Sequence, residues 1–244
     1  MDRRAFLATS GVGLLAGCLG GEQQDGPDED GPSNRISDPD ARAHPLRGIS
    51  LSPRSYEEAD FNEFFELVEQ AGLDVRWAGS WTDLESEEGA PSVVCSLAEQ
   101  YGYHPIIETG VYSVDDGELF RPLDEAGQTD FLDTLIAFAS EWQPPFLGIG
   151  VEVNIHAEEQ PEEFETFVSL YDEVYDAIKT VTVGTQVYPV FQLEWMRGLR
   201  GGIFGGENDA AQAQWDLLER FPKRDLVAFT SYPDLVFERL GRHT

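Results

Sequence analysis

The sequence contains very little lysine. Lys179 and Lys223 are the only two lysines among 16 basic residues, which face 46 aspartates and glutamates and leave a formal net charge of −30. A chain this acidic repels nucleic acid and anionic lipid surfaces, so we expect no nucleic-acid partner. Because the acidic residues are spread over every segment, the composition favours adaptation to concentrated salt over an acidic surface for one cationic partner.

Cysteine and histidine are also scarce, with two and four residues. Cys18 lies in an N-terminal segment considered below, which leaves Cys95 without a partner for an intramolecular disulfide. We interpret Cys95 as a small core residue. The histidines show no ligand spacing such as HExxH, and the chain has neither a P-loop nor a serine nucleophile elbow. The sequence therefore predicts no metal site and no cofactor.

The N-terminal residues 1–21, MDRRAFLATSGVGLLAGCLGG, contain an uncharged run that is too short to span a bilayer. The run fits the hydrophobic region of an export signal. RRAFL resembles a twin-arginine signal, and LAGC resembles the lipobox of exported lipoproteins, whose cysteine is lipidated. These resemblances imply a signal peptide over 1–17, a lipid on Cys18, and a membrane-anchored lipoprotein at the outer face of the cytoplasmic membrane.

The segment 18–45 has almost no apolar residues and is rich in glycine, proline, aspartate and serine. Such a composition cannot bury enough surface to offset the entropy lost on ordering. We therefore predict a disordered acidic linker over 18–45, followed by a globular domain over 46–244.

Six apolar, strand-like stretches alternate with segments of helical spacing in that domain. The predicted strands cover 47–53, 74–81, 104–110, 146–154, 182–195 and 225–233. The predicted helices cover 60–72, 92–102, 129–142, 161–181 and 209–222, and a last one starts at 234. Near-continuously apolar strands joined by helices predict an α/β fold with a parallel sheet.

Two parallel architectures fit this alternation. A doubly wound sheet usually carries a glycine-rich phosphate loop after its first strand, and SLSPRSYEEAD has none. A TIM-type (β/α) barrel gathers polar and aromatic groups at the carboxyl ends of its strands, which is the pattern here. We favour the barrel. About six β/α units are present where eight are usual, so we expect it to be incomplete, through truncation or through completion by another chain.

The stretch FLGIGVEVN (146–154) resembles the fourth strand of (β/α)8 glycoside hydrolases, in which a glutamate is the general acid/base. VAFTSYP (227–233) is similar to their sixth strand, which delivers a tyrosine to the site. The resemblance implies that Glu152 is the acid/base and that Tyr232 lines the site. It also implies a nucleophilic glutamate on a seventh strand, onto which no residue of this chain maps. In those enzymes an Asn-Glu pair stands where this chain has Val151-Glu152.

The residues themselves indicate the same candidates. A carboxyl group at the end of an apolar strand has its pKa raised by desolvation, which suits Glu152 to proton transfer. Glu108 and Glu194 are the candidates for a second carboxylate. The candidate substrate-binding residues are Arg54, Trp77, Trp81, Asn154, Gln192, Trp195 and Tyr232. The alternatives are ion pairing for the charged residues and ordinary core packing for the aromatic ones.

Three functional interpretations stay open on this basis. The first is a glycosidase-like surface lipoprotein acting on polysaccharide. The second is a non-catalytic lipoprotein that binds carbohydrate or another solute at the same barrel mouth. The third is an inactive truncated hydrolase. Whether the protein is an enzyme depends on a second carboxylate beside Glu152.

Overall fold

The computed structural model describes residues 47–201 and 206–233. The predicted signal peptide, linker and last helix lie outside the described residues.

The centre of the fold is a parallel sheet that follows chain order. Its strands are β1 (Gly48–Ser50), β2 (Asp74–Ser80), β3 (Pro105–Gly110), β6 (Phe146–Ile149) and β7 (Gln186–Tyr188), paired in that sequence. Between β3 and β6, a short antiparallel hairpin joins β4 (Tyr112–Ser113) to β5 (Glu118–Leu119). A sheet whose strand order never reverses is wound in one direction, as in a barrel, because a doubly wound sheet contains a reversal.

The fifth predicted strand is divided into two. Pro189 separates β7 from β8 (Val190–Gln192), and β8 pairs in parallel with β9 (Ala228–Thr230). A proline has no N–H to donate to a ladder. The chain changes partner at this residue, from β6 before it to β9 after it. The six predicted strand regions therefore all form parallel strands in chain order.

Helices join the strands. They are α1 (Glu58–Ala71), α2 (Ala90–Tyr101), α3 (Glu125–Trp142), α4 (Val153–Glu159), α5 (Pro161–Val181) and α6 (Leu193–Met196). Short 3-10 helices cover 81–85, 210–212 and 215–220. None of the described helices has the length and apolar character needed to cross a membrane.

The prediction of a continuous helix over 209–222 was wrong. Between its two 3-10 pieces, the Gln214 N–H bonds to the Met196 carbonyl. The side chain of Gln214 is bound to Asn154 and Glu158 on α4. These contacts hold the backbone of Gln214 away from the i to i−4 bonding of an α-helix.

The sheet has two distinct faces, because successive side chains of a strand alternate. The helix face carries the large apolar side chains that pack on the helices, among them Val75, Ile107, Leu147, Val187 and Phe191. The inner face carries the alternate positions. Among them are Arg76 and Ala78 of β2, Glu108 and Gly110 of β3, Gly148 of β6, Tyr188 of β7, Val190 and Gln192 of β8, and Ala228 and Thr230 of β9.

The inner face is polar toward the carboxyl ends of the strands and apolar toward their amino ends. Tyr188, Val190 and Ala228 form a small buried cluster with Phe146 and Leu226. With helices packed on one face, and a second cluster and charged groups on the other, the domain is an α/β fold of the TIM-type barrel kind. Among the described residues, β1 and β9 do not pair with each other, so the barrel they form is open.

Candidate active site

Glu152 lies just beyond the carboxyl end of β6, at the N-terminus of α4. The predicted strand over 146–154 ends at Ile149, because Gly150 adopts a φ of 87° and turns the chain. Glu152 itself has a φ of 55° in the left-handed region. A non-glycine residue held in this region costs on the order of 1 kcal/mol or more, and such residues concentrate at functional sites.

The comparison with Gln143 shows why this backbone is unusual. Gln143 is the other described non-glycine residue with a positive φ, and it ends α3, where a left-handed residue is common. Glu152 instead begins a helix, where the cap residue normally has an extended backbone. The strain at Glu152 therefore has no explanation in helix termination.

Glu152 is only 9% exposed, and hydroxyl groups surround its carboxyl group. Thr230 Oγ1 on β9 donates a hydrogen bond of 2.7 Å to Glu152 Oε1. The Tyr232 hydroxyl lies close enough to this carboxyl group to lower its pKa. Burial raises the pKa of Glu152 above its ordinary value. The two hydroxyls and the charge on Arg76 oppose the rise in this pKa, whereas the negative charge of Glu194 adds to it.

Glu194 is the second carboxylate that the structure brings to this place. It lies on α6, directly after β8, and is buried. Ser231 Oγ donates to its Oε1 at 2.8 Å, and Gln192 Nε2 donates to its Oε2 at 2.7 Å. Since its charge affects the pKa of Glu152, the two carboxyl groups lie within electrostatic range of each other.

Three consecutive residues at the end of β9 hold both carboxyl groups. Thr230 donates to Glu152, Ser231 donates to Glu194, and the Tyr232 hydroxyl lies near Glu152. The β9 strand ends at Thr230, and the next residue, Ser231, reaches Glu194. The predicted site tyrosine is therefore one of three hydroxyl residues, and nothing in the sequence pattern singled out the other two.

Glu108 occupies a different position, in the interior of the inner face. Its Oε2 accepts bonds from Arg76 Nε at 2.6 Å and Nη2 at 2.5 Å, and its Oε1 accepts one from the Tyr188 hydroxyl at 3.2 Å. Gly148 separates Glu108 from Tyr188 in the register, and a Cβ there would lie 2.8 Å from Glu108 Cγ. This ion pair neutralises Glu108, so the group is poorly suited to be the second catalytic carboxylate.

Asn154 and Gln192, two of the predicted substrate-binding residues, are buried and hydrogen-bond to the protein itself. Asn154 is fully buried on α4, where its side-chain amide bonds both the N–H and the carbonyl of Gln192. The Gln192 side chain caps α6 by accepting from the Trp195 N–H at 2.6 Å. Asn154 and Gln192 thus fix the positions of the helices that carry the two carboxylates.

The predictions for four candidates are corrected by their positions. Trp77 and Trp81 lie buried in the core on the helix face and do not line the barrel mouth. Trp195 is also buried, with the Arg200 guanidinium 4.1 Å from its ring centre. The Arg54 side chain is 75% exposed and pairs with Glu63 of α1. For the three tryptophans, the free energy gained by burial in the core decides where the side chain lies, although each is near a strand end.

His156, on α4, is fully buried. Its ring stacks on Tyr112 at 5.1 Å with an interplanar angle of 8°, and Phe164 and Phe167 surround it. Neither ring nitrogen has a hydrogen-bond partner. Burial lowers the pKa of His156 to about 4.

We therefore expect stability to decrease in acid. A pKa lowered from 6.5 to about 4 means that the folded state resists protonation, so stability is complete above pH 6.5 and is lost as the pH falls toward 4. The loss amounts to about 3 kcal/mol. Urea unfolding between pH 4 and 7 should show this loss in the wild type and lack it in His156→Phe. Equal slopes for both proteins would contradict the assignment.

The described part of the chain contains no group of three or more histidine, cysteine, aspartate or glutamate residues arranged to hold a metal ion. Cys95 is a free, largely buried thiol, and burial raises its pKa to about 12. The thiol is thus unreactive at neutral pH, in line with a packing role.

Comparisons with known proteins give similarities in structure only. No protein-family model matches the sequence, and no curated protein matches it. An exo-beta-1,4-mannosidase from Opitutaceae bacterium strain TAV5 is 15% identical over 77% of this chain and 39% of its own, with a TM-score of 0.46. A family 1 beta-glucosidase from Thermotoga maritima is 10% identical over 70% of this chain and 53% of its own, with a TM-score of 0.44.

An AP endonuclease of family 2 from Brucella melitensis is also similar, at 16% identity over 75% of this chain and 66% of its own, with a TM-score of 0.45. The chain thus spans between 39% and 66% of the lengths of these three proteins. Glycoside hydrolases are among the solved structures to which its fold is similar.

Proposed function

We propose that the protein is a glycosidase-like carbohydrate-active protein in which Glu152 is the general acid/base. One observation carries the proposal. A strained, buried carboxyl group with a raised pKa lies at the carboxyl end of a central parallel strand, beside a second carboxyl group held by the same short segment. Glycoside hydrolysis requires such a pair of carboxyl groups in different environments.

The two groups have distinct roles in this proposal. Protonated Glu152 donates its proton to the leaving glycosidic oxygen, because desolvation favours its neutral form. Glu194 is the ionised partner that faces the anomeric centre, directly or through a water molecule. Tyr232 and Thr230 orient the Glu152 carboxyl group. Arg76 and Glu108 form a neutral pair at the base of the site.

Hydrolysis of a panel of nitrophenyl glycosides, measured in low and in concentrated salt, tests the function. We expect activity to fall as the pH rises through the raised pKa of Glu152, because the ionised form has no proton to donate. The pH profile of kcat/KM reports this step. A profile that rises steadily with pH, or no hydrolysis of any glycoside, would contradict the assignment of Glu152.

A non-catalytic carbohydrate-binding protein is the second candidate. The observation in its favour is that both oxygens of Glu194 already accept hydrogen bonds, from Ser231 and from Gln192. A carboxylate whose oxygens are engaged in this way is a weaker nucleophile or base. Binding of tetrasaccharides without hydrolysis would select this candidate, and an inactive truncated hydrolase would do neither.

We also propose that the protein is exported and anchored by a lipid on Cys18, since RRAFL, an uncharged run and LAGC follow one another in the order of an export signal and lipobox. Mass spectrometry of the N-terminal peptide should find a lipidated Cys18 as the first residue. An intact Met1 together with an unmodified Cys18 thiol would refute this. Another chain that supplies further strands at β1 or β9 would complete the barrel; the open edges support that proposal.

A further inference from the structure

The hairpin of β4 and β5 ends in an aromatic side chain that the core does not use. Phe120 follows β5 directly, and 43% of its surface is exposed. Its N–H bonds to the carbonyl of Val111, the residue that follows β3, at 3.0 Å, which closes the end of the hairpin. Phe120 belongs to neither hydrophobic cluster of the described residues.

The position of its ring follows from the alternation of β3. Gly110 has the same parity as Glu108, so a side chain at Gly110 would point to the inner face. A Cβ built on Gly110 would lie 3.5 Å from Phe120 Cε2. The Phe120 ring therefore lies on the inner side of β3, above Glu108 and in the barrel mouth.

Beside this ring, the inner face of the sheet carries small residues. In the register, Ser80 faces Gly110 and Ala78 faces Glu108, and Ala78 is exposed. Gly110 also lies close to the end of β6, which Glu152 follows, because the Gly150 N–H bonds to the Thr109 carbonyl at 2.7 Å. An exposed aromatic ring thus borders an open strip on one side of Glu152.

We infer that Phe120 is a specificity-determining residue that stacks on a pyranose ring of an oligosaccharide, next to the sugar held at Glu152. The apolar face of a pyranose packs on an aromatic ring, and a pocket with one such anchor and a few polar groups is typical of ligand sites. The buried tryptophans of the core cannot supply this surface. The inference rests on the proposed carbohydrate-binding function, with or without hydrolysis.

Binding of cellotetraose and mannotetraose, measured by isothermal titration calorimetry, tests the inference. Phe120→Ala should weaken binding about five- to tenfold, and Phe120→Tyr, which keeps the ring, should restore it. Leu67→Ala is the matched control, because Leu67 is an exposed apolar residue on α1, away from the mouth. In Phe120→Trp, the added indole should change its fluorescence when the tetrasaccharide is bound, which reports contact even if Phe120→Ala folds poorly.

The outcomes separate the two proposals. Weaker tetrasaccharide binding in Phe120→Ala, with unchanged binding in Leu67→Ala, supports stacking of the sugar on Phe120. This holds whether or not the wild type hydrolyses nitrophenyl glycosides. Suppose that the wild type hydrolyses glycosides, Phe120→Ala binds the tetrasaccharides unchanged, and Phe120→Trp shows no fluorescence change. This result overturns the role of Phe120 and leaves the proposed function in place. Absence of both hydrolysis and tetrasaccharide binding in the wild type overturns both.

Discussion

Replacement of Glu152 by glutamine is expected to lower kcat/KM for glycoside hydrolysis by about 10²- to 10⁴-fold, which is the usual contribution of a positioned general acid. Glutamine keeps the size of the side chain and the hydrogen bond from Thr230 but has no proton to transfer. Binding of tetrasaccharides should remain. Steady-state kinetics in concentrated salt, with binding measured in parallel, separates the chemical step from substrate affinity.

The same position offers a test of its strained backbone. Glycine adopts a φ near 55° without a steric penalty, whereas alanine does not. We therefore expect Glu152→Gly to be more stable than Glu152→Ala by about 1 kcal/mol, although both lack activity. Urea unfolding of the two variants gives this difference directly. Equal stabilities would mean that the left-handed backbone at Glu152 carries no cost.

Replacement of Arg76 by methionine is expected to cost about 3 to 5 kcal/mol of folding stability. The change leaves Glu108, which is 1% exposed, as an uncompensated buried charge. It also removes a positive charge that lowers the pKa of Glu152, so the fall in activity with rising pH should shift to higher pH. Urea unfolding and the pH profile measure the two effects.

A double variant and a control identify the cause. Arg76→Met combined with Glu108→Gln removes both charges and keeps a partner for Tyr188, so most of the stability should return. Arg54→Met breaks an ion pair whose arginine is 75% exposed, and no measurable change is expected. If the double variant were as unstable as Arg76→Met, the loss would have to come from packing of the arginine stem.

The strands could be predicted from the sequence because they fall in apolar runs with the length of buried parallel strands, separated by segments of helical spacing. The regions of β1, β2, β3, β6 and β9 all fall inside predicted strands. The ends of strands were harder. Gly150 and Glu152 leave β6 through left-handed conformations, and no local propensity marks a glutamate for that backbone.

The site was only partly predictable for a related reason. Glu152, Glu194 and Tyr232 follow apolar runs, so their approach to one another could be expected from the barrel pattern alone. Thr230 and Ser231 resemble any other strand-end hydroxyls, and Phe120 lies in a hairpin whose fold over Gly110 depends on tertiary contacts. For the tryptophans the sequence predicted a role in the site that the structure does not give them. Their position near strand ends suggested the barrel mouth, but their large apolar side chains are buried in the core.

Thr230 and Ser231, at the end of β9, hydrogen-bond Glu152 and Glu194, so thermal motion of this strand affects both carboxyl groups. Within the described residues, β9 pairs with β8 alone, in a two-stranded sheet separate from the five-stranded one. Any shift of its end carries Thr230 and Ser231 together, and with them Glu152 and Glu194. In the proposed hydrolase, retention or inversion of the sugar depends on the separation of these two carboxyl groups. We expect a displacement of β9 to change this separation less than it changes their position relative to the sheet, because Thr230 and Ser231 are joined by one peptide unit.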